Sequence, residues 1–423
     1  MNLIIKSSLN CKTSTVVALL IIFIFIKKIT TGQAQQFIVI LELLVVSIAI
    51  LYYVSKDGLL RIPSKFLILL FLSYIAFGMI GPIINETFNV YTIIQTVLNL
   101  KIFLLLLYLY NSSRSTIFSE KFLLFVLIIN TVLILFEMLF TGLYSSLFPG
   151  TTVGSVVPGT SILRYSGLFN HPGQLALFAF VIFTSSLCNK TSKYTKYITY
   201  LSFVGIILAM QRPELIFSIA LIALYTCYRL EIKSRSLIAS IAILTALTIS
   251  IIASNKISSI LISNFGVFVN TSGQLLDMAP RTALLLQSVT LANQYFPFGT
   301  GFATFGSGQS INNPENVYHL TSLIGIWWFE NGMYYFDFFW GSVISETGYF
   351  GFLSLSLFVV ILMFKLITKN PYYNKRKIFN FHNLVLYLLC FYFILNSLGT
   401  PIINGSILQL FLLLFLIKNL KVS

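Results

Sequence analysis

Charged side chains are scarce in this sequence. Asp, Glu, Lys and Arg make up 9% of the 423 residues, against about 25% in a typical soluble domain. So few charges cannot cover the surface of a water-soluble protein of this length. A single apolar core is also excluded, because soluble cores stop growing at roughly 250–300 residues. Lipid must therefore be part of the solvent.

Cysteine and histidine are also rare. None of the four cysteines has a C-x-x-C partner, which disfavours disulfide and metal roles. The three histidines are scattered, and the carboxylates show neither D-x-D nor H-E-x-x-H spacing, the patterns that hold catalytic metals. No P-loop and no G-x-S-x-G elbow occurs. We therefore expect no metal and no other cofactor.

Apolar residues dominate instead, at 57% of the chain with a mean hydropathy of +0.90. A helix needs about 20 apolar residues to cross the hydrocarbon of a bilayer. Twelve segments are candidates: Thr13–Thr30, Phe37–Val54, Phe66–Ile84, Val90–Tyr110, Phe122–Leu143, Pro172–Cys188, Tyr197–Met210, Leu215–Tyr228, Ser236–Ala253, Phe338–Phe364, Leu384–Ser397 and Ser406–Ile417. We therefore predict an all-α polytopic membrane protein, with residues 1–423 forming one integral membrane domain.

The basic residues predict the orientation of these spans. With the N-terminus inside, 20 of the 27 Lys and Arg residues fall on the inner side and six on the outer side. Because basic loops stay cytoplasmic, we expect both termini in the cytoplasm. The net charge of +15 is spread over short loops and forms no continuous stripe. The lipid bilayer, and no nucleic acid, is therefore the expected anionic partner.

Two long segments then face the outer side, at about 144–171 and at 254–337. The second is a large exoplasmic loop between the ninth and tenth spans, and it is long enough to fold over the membrane as a lid. Outer arginines stand beside apolar segments at Arg164, Arg212 and Arg281. Arginine's planar fork binds phosphate oxygens, so these positions predict a phosphorylated lipid as ligand.

Each of these positions also has a structural interpretation. Arg164 is equally well placed to anchor a loop at the interface. Arg212 is equally well placed to close a hairpin with Glu214. His171 precedes Pro172, where a capping or packing role is the more common one.

Four short motifs follow one another along the chain: Arg164-x-x-Gly167 with Asn170-x-Pro172, Gln211-Arg212, Arg281 followed by Phe296-Pro-Phe-Gly-x-Gly301, and Glu346-x-Gly-x-x-Gly351. Their order, together with the span layout and the large outer loop, resembles the O-antigen polymerase and O-antigen ligase superfamily. The resemblance covers about residues 164–364, and the first five spans match in hydropathy alone.

The resemblance implies a GT-C-like glycosyltransferase of the bacterial inner membrane. It would use a polyprenyl-diphosphate-linked oligosaccharide on the outer face, without metal or nucleotide. Arg212 and Arg281 would hold the diphosphate, with Arg164 and His171 as further contacts. A chain-length regulator is a candidate partner.

The ligase branch usually carries a histidine just before the tenth span, where this chain has Asp337. That difference favours a polymerase of repeat units for O-antigen or capsular polysaccharide. A ligase that transfers the glycan to a lipid or protein acceptor is the alternative, and a lipid-linked oligosaccharide flippase is a weaker one. Asp337 is the candidate base, His319 is its rival, and capping of the tenth helix is the structural interpretation of Asp337.

The predicted orientation is testable with a reporter enzyme that is active only outside the cytoplasm. Fused after Asn270, the reporter should be active, because that position lies in the outer loop. Fused after Tyr194, it should be silent, because that position lies in a basic inner loop. The reverse pattern of activity would overturn the orientation.

Overall fold

The computed structural model describes residues 13–30, 33–57, 64–111, 120–156, 161–188, 193–229, 280–332, 334–335, 338–370, 373, 381–399 and 407–420. The ninth predicted span, the first part of the large outer loop and Asp337 lie outside these residues.

Regular structure in these ranges is helical, apart from one isolated bridge between Val156 and Leu163. The helices, in chain order, are α1 Thr13–Ile29, α2 Gln33–Asp57, α3 Lys65–Ile84, α4 Val90–Asn99, α5 Lys101–Asn111, α6 Glu120–Leu139, α7 Thr141–Leu147, α8 Pro172–Cys188, α9 Thr195–Ala209, α10 Arg212–Arg229, α11 Pro280–Gln294, α12 Trp327–Glu330, α13 Phe339–Lys369, α14 Phe381–Gly399 and α15 Ile407–Asn419.

Among the described helices, four stretches are long and apolar enough to cross a membrane: Lys65–Ile84, Val90–Leu109, Glu120–Leu139 and Phe339–Thr368. Shorter apolar helices cover Phe37–Leu51, Pro172–Cys188, Thr195–Ala209, Phe381–Ser397 and Ile407–Lys418. The chain is thus an all-α protein with the helices of a membrane protein. The count of twelve spans and the sidedness stay predictions.

Contacts at the two ends of α3 agree with the predicted alternation of sides. Beyond its last turn, Asn85 donates a hydrogen bond to the carbonyl of Gly299, 3.2 Å away, in the predicted outer loop. Before its first turn, Ser64 accepts a hydrogen bond from Lys365, a predicted inner residue of α13. We call the Asn85 side of the bundle the loop end.

The helix α13 is interrupted at Gly348, whose φ of 63° and ψ of −175° are not helical. An interruption there frees carbonyls that would otherwise accept from the next turn. The carbonyl of Ser345 accepts from Thr300 N–H at 2.8 Å, and that of Glu346 accepts from Gly301 N–H at 2.9 Å. The broken helix therefore holds the outer loop by its backbone.

The side chain of Glu346 strengthens the same joint. Its carboxylate is buried and accepts hydrogen bonds from Thr304 N–H at 3.0 Å and from Phe305 N–H at 3.1 Å. The sequence alone predicts a different partner for Glu346, either an arginine within a span or a group on a neighbouring helix. The difference arises because an irregular loop carries free N–H groups, which a helix interior does not have.

Glycines allow the backbones at this joint to approach. A Cβ on Gly299 would lie 2.4 Å from the backbone nitrogen of Gly348, and one on Gly301 would lie 2.2 Å from Cγ of Pro82. Both glycines have positive φ, which side chains disfavour. The Gly299-x-Gly301 sequence is thus a tight turn that packs against α3 and α13.

The part of the outer loop after this turn has its own apolar core. Helix α11, the loop and α12 contribute Ala283, Leu284, Leu291, Phe305, Val317, Tyr318, Leu323, Ile326, Trp328 and Phe329. Aromatic rings connect it, with Tyr318 centred 5.2 Å from Phe305 and 5.5 Å from Tyr335. This set, the outer core, makes the segment a folded cover over the loop end.

Substitution of Gly348 by Ala should lower the thermal stability of the purified protein. The positive φ costs about 1–3 kcal/mol for a side chain, and a Cβ would lie 2.3 Å from the carbonyl oxygen of Pro297. Gly142→Ala is the matched control, since nothing lies within 4 Å of a Cβ there. Equal melting temperatures for the two variants would contradict this account of the joint.

Candidate functional site

Arg164 lies in an extended segment at the loop end. Leu163, beside it, forms the isolated bridge with Val156. On its other side Tyr165 donates its N–H to the carbonyl of Leu208, at 3.2 Å, near the end of α9. These backbone bonds bring Arg164 next to the turn between α9 and α10.

A buried carboxylate fixes the turn that follows. Glu137, near the end of α6, accepts hydrogen bonds from Ser166 N–H at 2.9 Å and from Gly167 N–H at 3.0 Å. Two turns earlier on α6, Asn130 accepts from Leu168 N–H at 2.9 Å. A Cβ on Gly167 would lie 2.5 Å from the Asn130 oxygen. The glycine of the Arg164-x-x-Gly167 motif is therefore required by packing.

Lys28 completes the support from α1. The residue is fully buried and donates hydrogen bonds to the Tyr144 hydroxyl and to the carbonyl of Gly167. Tyr144 donates to the same carbonyl at 2.6 Å. Sequence analysis alone would extend such a lysine toward the headgroups. Here it turns inward instead, because the carbonyl and the hydroxyl supply polar partners at the membrane edge.

The hairpin that carries Arg212 is as tight as the sequence predicts. Helix α9 ends at Ala209, the next residue Met210 is left-handed with φ of 48° and ψ of 39°, and α10 begins at Arg212. Glu214 is buried and accepts from the Tyr392 hydroxyl at 2.7 Å and from Asn396 at 3.2 Å. Arg212 itself is exposed. The Glu214 carboxylate thus serves the contact between α10 and α14.

The two arginines lie close enough to influence each other. Burial lowers the pKa of Arg164, the neighbouring Tyr334 opposes that shift, and the positive charge of Arg212 lowers the pKa further. Tyr334 comes from the last part of the outer loop and has a positive φ of 65°, an outlier for a bulky residue. Arg164 and Arg212, which we call the arginine pair, thus lie on neighbouring loops and concentrate positive charge there, and Tyr334 of the outer loop acts on the same charge.

Polar atoms beside the pair accept or donate no hydrogen bond among the described residues. They are Nε of Arg164, the side-chain oxygen of Asn170 and Nε2 of Gln211. Gln211 Nε2 lies 3.8 Å from the Cβ position of Gly173, in the first turn of α8. Two of the three, Nε of Arg164 and Nε2 of Gln211, are hydrogen-bond donors that suit an anion, whereas the Asn170 oxygen is an acceptor.

The structure places the other predicted site residues on separate elements. His171 is exposed and its Nδ1 accepts from Gly173 N–H at 3.0 Å, so it caps α8. Arg281 is exposed in the first turn of α11. His319 is exposed on the short 3-10 helix Tyr318–Leu320, where its Nδ1 contacts the Asn316 carbonyl at 3.1 Å. Asp337 is outside the described residues.

Comparisons with known proteins give no further guide to the chemistry. No family model matches the chain, and no curated protein sequence matches it. Within the described ranges, no three His, Cys, Asp or Glu side chains gather as metal ligands do. The functional argument therefore rests on the arginine pair and its surroundings.

Three residues of the site lie outside the sequence motifs. Glu137 and Lys28 are charged residues inside or beside apolar spans. Such residues are rare, so their position is a signal from which the sequence could have identified them. Tyr334 is one of 22 tyrosines, and nothing in its local sequence distinguishes it. Only the path of the outer loop brings it to Arg164.

Two substitutions that each remove a charge at this site are expected to differ in their effect on stability. Glu137→Gln should destabilise the protein by about 1–3 kcal/mol, because backbone N–H groups lose a charged acceptor. Arg164→Gln should leave the melting temperature unchanged or raise it, because it relieves repulsion from Arg212. Thermal unfolding of the two purified variants measures both effects, and destabilisation by Arg164→Gln would contradict the arginine pair.

Proposed function

We propose that this protein is a metal-independent glycosyltransferase that polymerises polyprenyl-diphosphate-linked oligosaccharide repeat units at the loop end of the bundle. The observation that carries the proposal is the arginine pair: the Tyr165 N–H bonds to the carbonyl of Leu208, so Arg164 and Arg212 stand on neighbouring loops, and their charges repel. Like charges held together by a fold favour an anionic ligand. The unpartnered amide nitrogen of Gln211 adds a hydrogen-bond donor for it.

A lipid-linked diphosphate suits this position. Its prenyl tail would stay in the bilayer, while its charged group would meet the arginines where the apolar helices end. Lysine would offer a point charge, but the guanidinium fork can contact two phosphate oxygens at once. Arg281, in the first turn of the covering helix α11, is the proposed third contact.

The reaction transfers the glycan from diphosphate to a sugar hydroxyl. The hydroxyl oxygen of the acceptor attacks the anomeric carbon, and the bond from that carbon to the diphosphate oxygen breaks. The leaving polyprenyl diphosphate keeps the electron pair, so negative charge grows on oxygens beside Arg164 and Arg212. Fixed positive groups that face this growing charge lower the barrier, and one such donor is worth about 10²–10³ in rate.

The acceptor hydroxyl must lose its proton to a base. We assign this role to Asp337, at the end of the outer loop, because a carboxylate can accept a proton from an attacking hydroxyl. Tyr334, three residues earlier, acts electrostatically on Arg164, which supports a place for Asp337 near the arginine pair. The aspartate, where ligases usually carry histidine, favours polymerisation over ligation.

Replacement of any of the three arginines by Ala should abolish long glycan chains without lowering the protein level. Lys at the same positions should restore little, because it lacks the planar fork. Arg229→Ala is the control, since Arg229 ends α10 on the side away from the pair. Glycan lengths are read on a gel after complementation of a deletion strain. Full activity of Arg164→Ala and Arg212→Ala would refute the proposal.

Asp337→Asn separates a base from a helix cap. Asn caps a helix as well as Asp but cannot accept the proton, so the variant should express normally and make little or no polymer. His319→Gln is the companion variant and should keep normal chain lengths. Normal polymer from Asp337→Asn, with loss of polymer from His319→Gln, would transfer the role to the histidine.

A further inference from the structure

Helix α4 is amphipathic, but its polar face is buried and its apolar face is exposed, which is the reverse of a helix on the surface of a soluble protein. Its buried face carries Thr92, Gln95 and Asn99, whereas Ile93 and Val97 on the other side are exposed. Polar side chains in an apolar span are costly, and they typically face a binding site or pathway inside the bundle. The stretch Val90–Leu109 meets the criteria of a membrane-crossing helix, so its amides need an explanation.

The outer loop covers this face. Asn89, the N-cap of α4, donates to the Asn313 oxygen at 2.6 Å. Asn313 in turn donates to the carbonyl of Ala303 at 2.8 Å. Thr92 donates to the carbonyl of Phe302 at 3.4 Å. Amide and hydroxyl groups therefore line the contact between α4 and the loop.

Two amide oxygens at this contact accept no hydrogen bond from the described residues. They belong to Gln95 and Gln309, which are each 3% exposed. The other end of the Gln95 amide is engaged, because its nitrogen donates to Asn99 at 3.0 Å. A buried acceptor without a donor costs about 1–3 kcal/mol. Both oxygens thus call for a ligand that donates hydrogen bonds.

An exposed glycine gives access to them. Gly308 precedes Gln309 and is exposed, and a Cβ built on it would lie 3.7 Å from the Gln95 oxygen. No other atom lies within 4 Å of that Cβ position. The Gln95 oxygen is itself buried, so a donor group would have to enter over Gly308 to meet it.

We propose that α4 and the 307–309 segment form a carbohydrate subsite, in which sugar hydroxyls donate to the amide oxygens of Gln95 and Gln309. Neutral amides and hydroxyls suit a neutral polyhydroxyl ligand. A calcium ion would require six to eight oxygen ligands, well beyond these two. The inference rests on the proposed function to the extent that the carbohydrate is the glycan of the lipid-linked substrate.

The position of the subsite fits an extended glycan. Phe305 precedes the 307–309 segment and contacts Tyr318, which contacts Tyr335. Tyr334, next to Tyr335, acts electrostatically on Arg164. The outer core, together with Tyr335, thus includes neighbours in sequence of both the carbohydrate subsite and Tyr334, and in this proposal one glycan of several sugars would occupy the subsite while its diphosphate occupies the arginine pair.

The test uses two probes on the full-length protein in lipid nanodiscs. One is the host's own repeat-unit oligosaccharide, released from its lipid carrier by mild acid so that no phosphate remains. The other is inorganic pyrophosphate. Calorimetric titration should show that Gln95→Leu and Gln309→Leu weaken oligosaccharide binding at least tenfold and leave pyrophosphate binding unchanged. Arg212→Ala should do the reverse.

Two further variants guard against misfolding. Gly308→Leu keeps both amides but covers the approach to Gln95, so it should weaken oligosaccharide binding with an unchanged melting temperature. Gln409→Leu is the matched control, because it removes a buried glutamine of α15, far along the chain, and should change neither titration.

The outcomes separate the subsite from the proposed function. Oligosaccharide binding that depends on Gln95, without any pyrophosphate binding, supports the subsite and refutes the diphosphate site. Oligosaccharide affinity unchanged in Gln95→Leu, Gln309→Leu and Gly308→Leu overturns the subsite. A third outcome also overturns the subsite: sodium ions raise the melting temperature, Gln95→Leu abolishes that effect, and no oligosaccharide binds. This result would assign the amides to a cation.

Discussion

Irregular backbone at membrane depth must find its hydrogen-bond partners within the protein, because hydrocarbon supplies none. Two buried carboxylates meet this requirement in the same way. Glu137 accepts the N–H groups of Ser166 and Gly167, and Glu346 accepts those of Thr304 and Phe305. Each carboxylate holds one loop against the helices. The loop end of the bundle, with its arginines and its amide-lined contact, depends on these two anchors.

Opposite charges are therefore used for different tasks in this protein. The described carboxylates of Glu137, Glu214 and Glu346 are buried and engaged with N–H or hydroxyl donors. The cations Arg164 and Arg212 remain near one another at the surface of the loop end. The nearby acids thus hold the fold together, whereas the proposed task of the two arginines is to bind an anionic ligand. That division is the physical basis of the proposed glycosyl transfer.

Much of the local structure follows from single residues. Pro172 and Pro280 predict the starts of α8 and α11, and the structure begins both helices there, since proline needs no N–H donor in a first turn. The Gly299-x-Gly301 turn can likewise be predicted from its two glycines. The partners of Glu346 are not, because they are backbone groups some forty residues away in the chain. Contacts of that kind leave no local pattern in a sequence.

Hydropathy and composition alone determined that the chain is an all-α membrane protein, because few charges and many apolar runs leave no other solvent. The motifs that contain Arg164, Arg212 and Arg281 also indicated which loops were candidates for the functional site. Tertiary structure decided which groups meet: Tyr334 beside Arg164, Lys28 beneath Gly167, and the amides of Gln95 and Gln309 at one contact. The reason is physical. Spacing along a helix fixes which face a residue occupies, whereas the path of a long loop depends on packing and on backbone partners from distant segments.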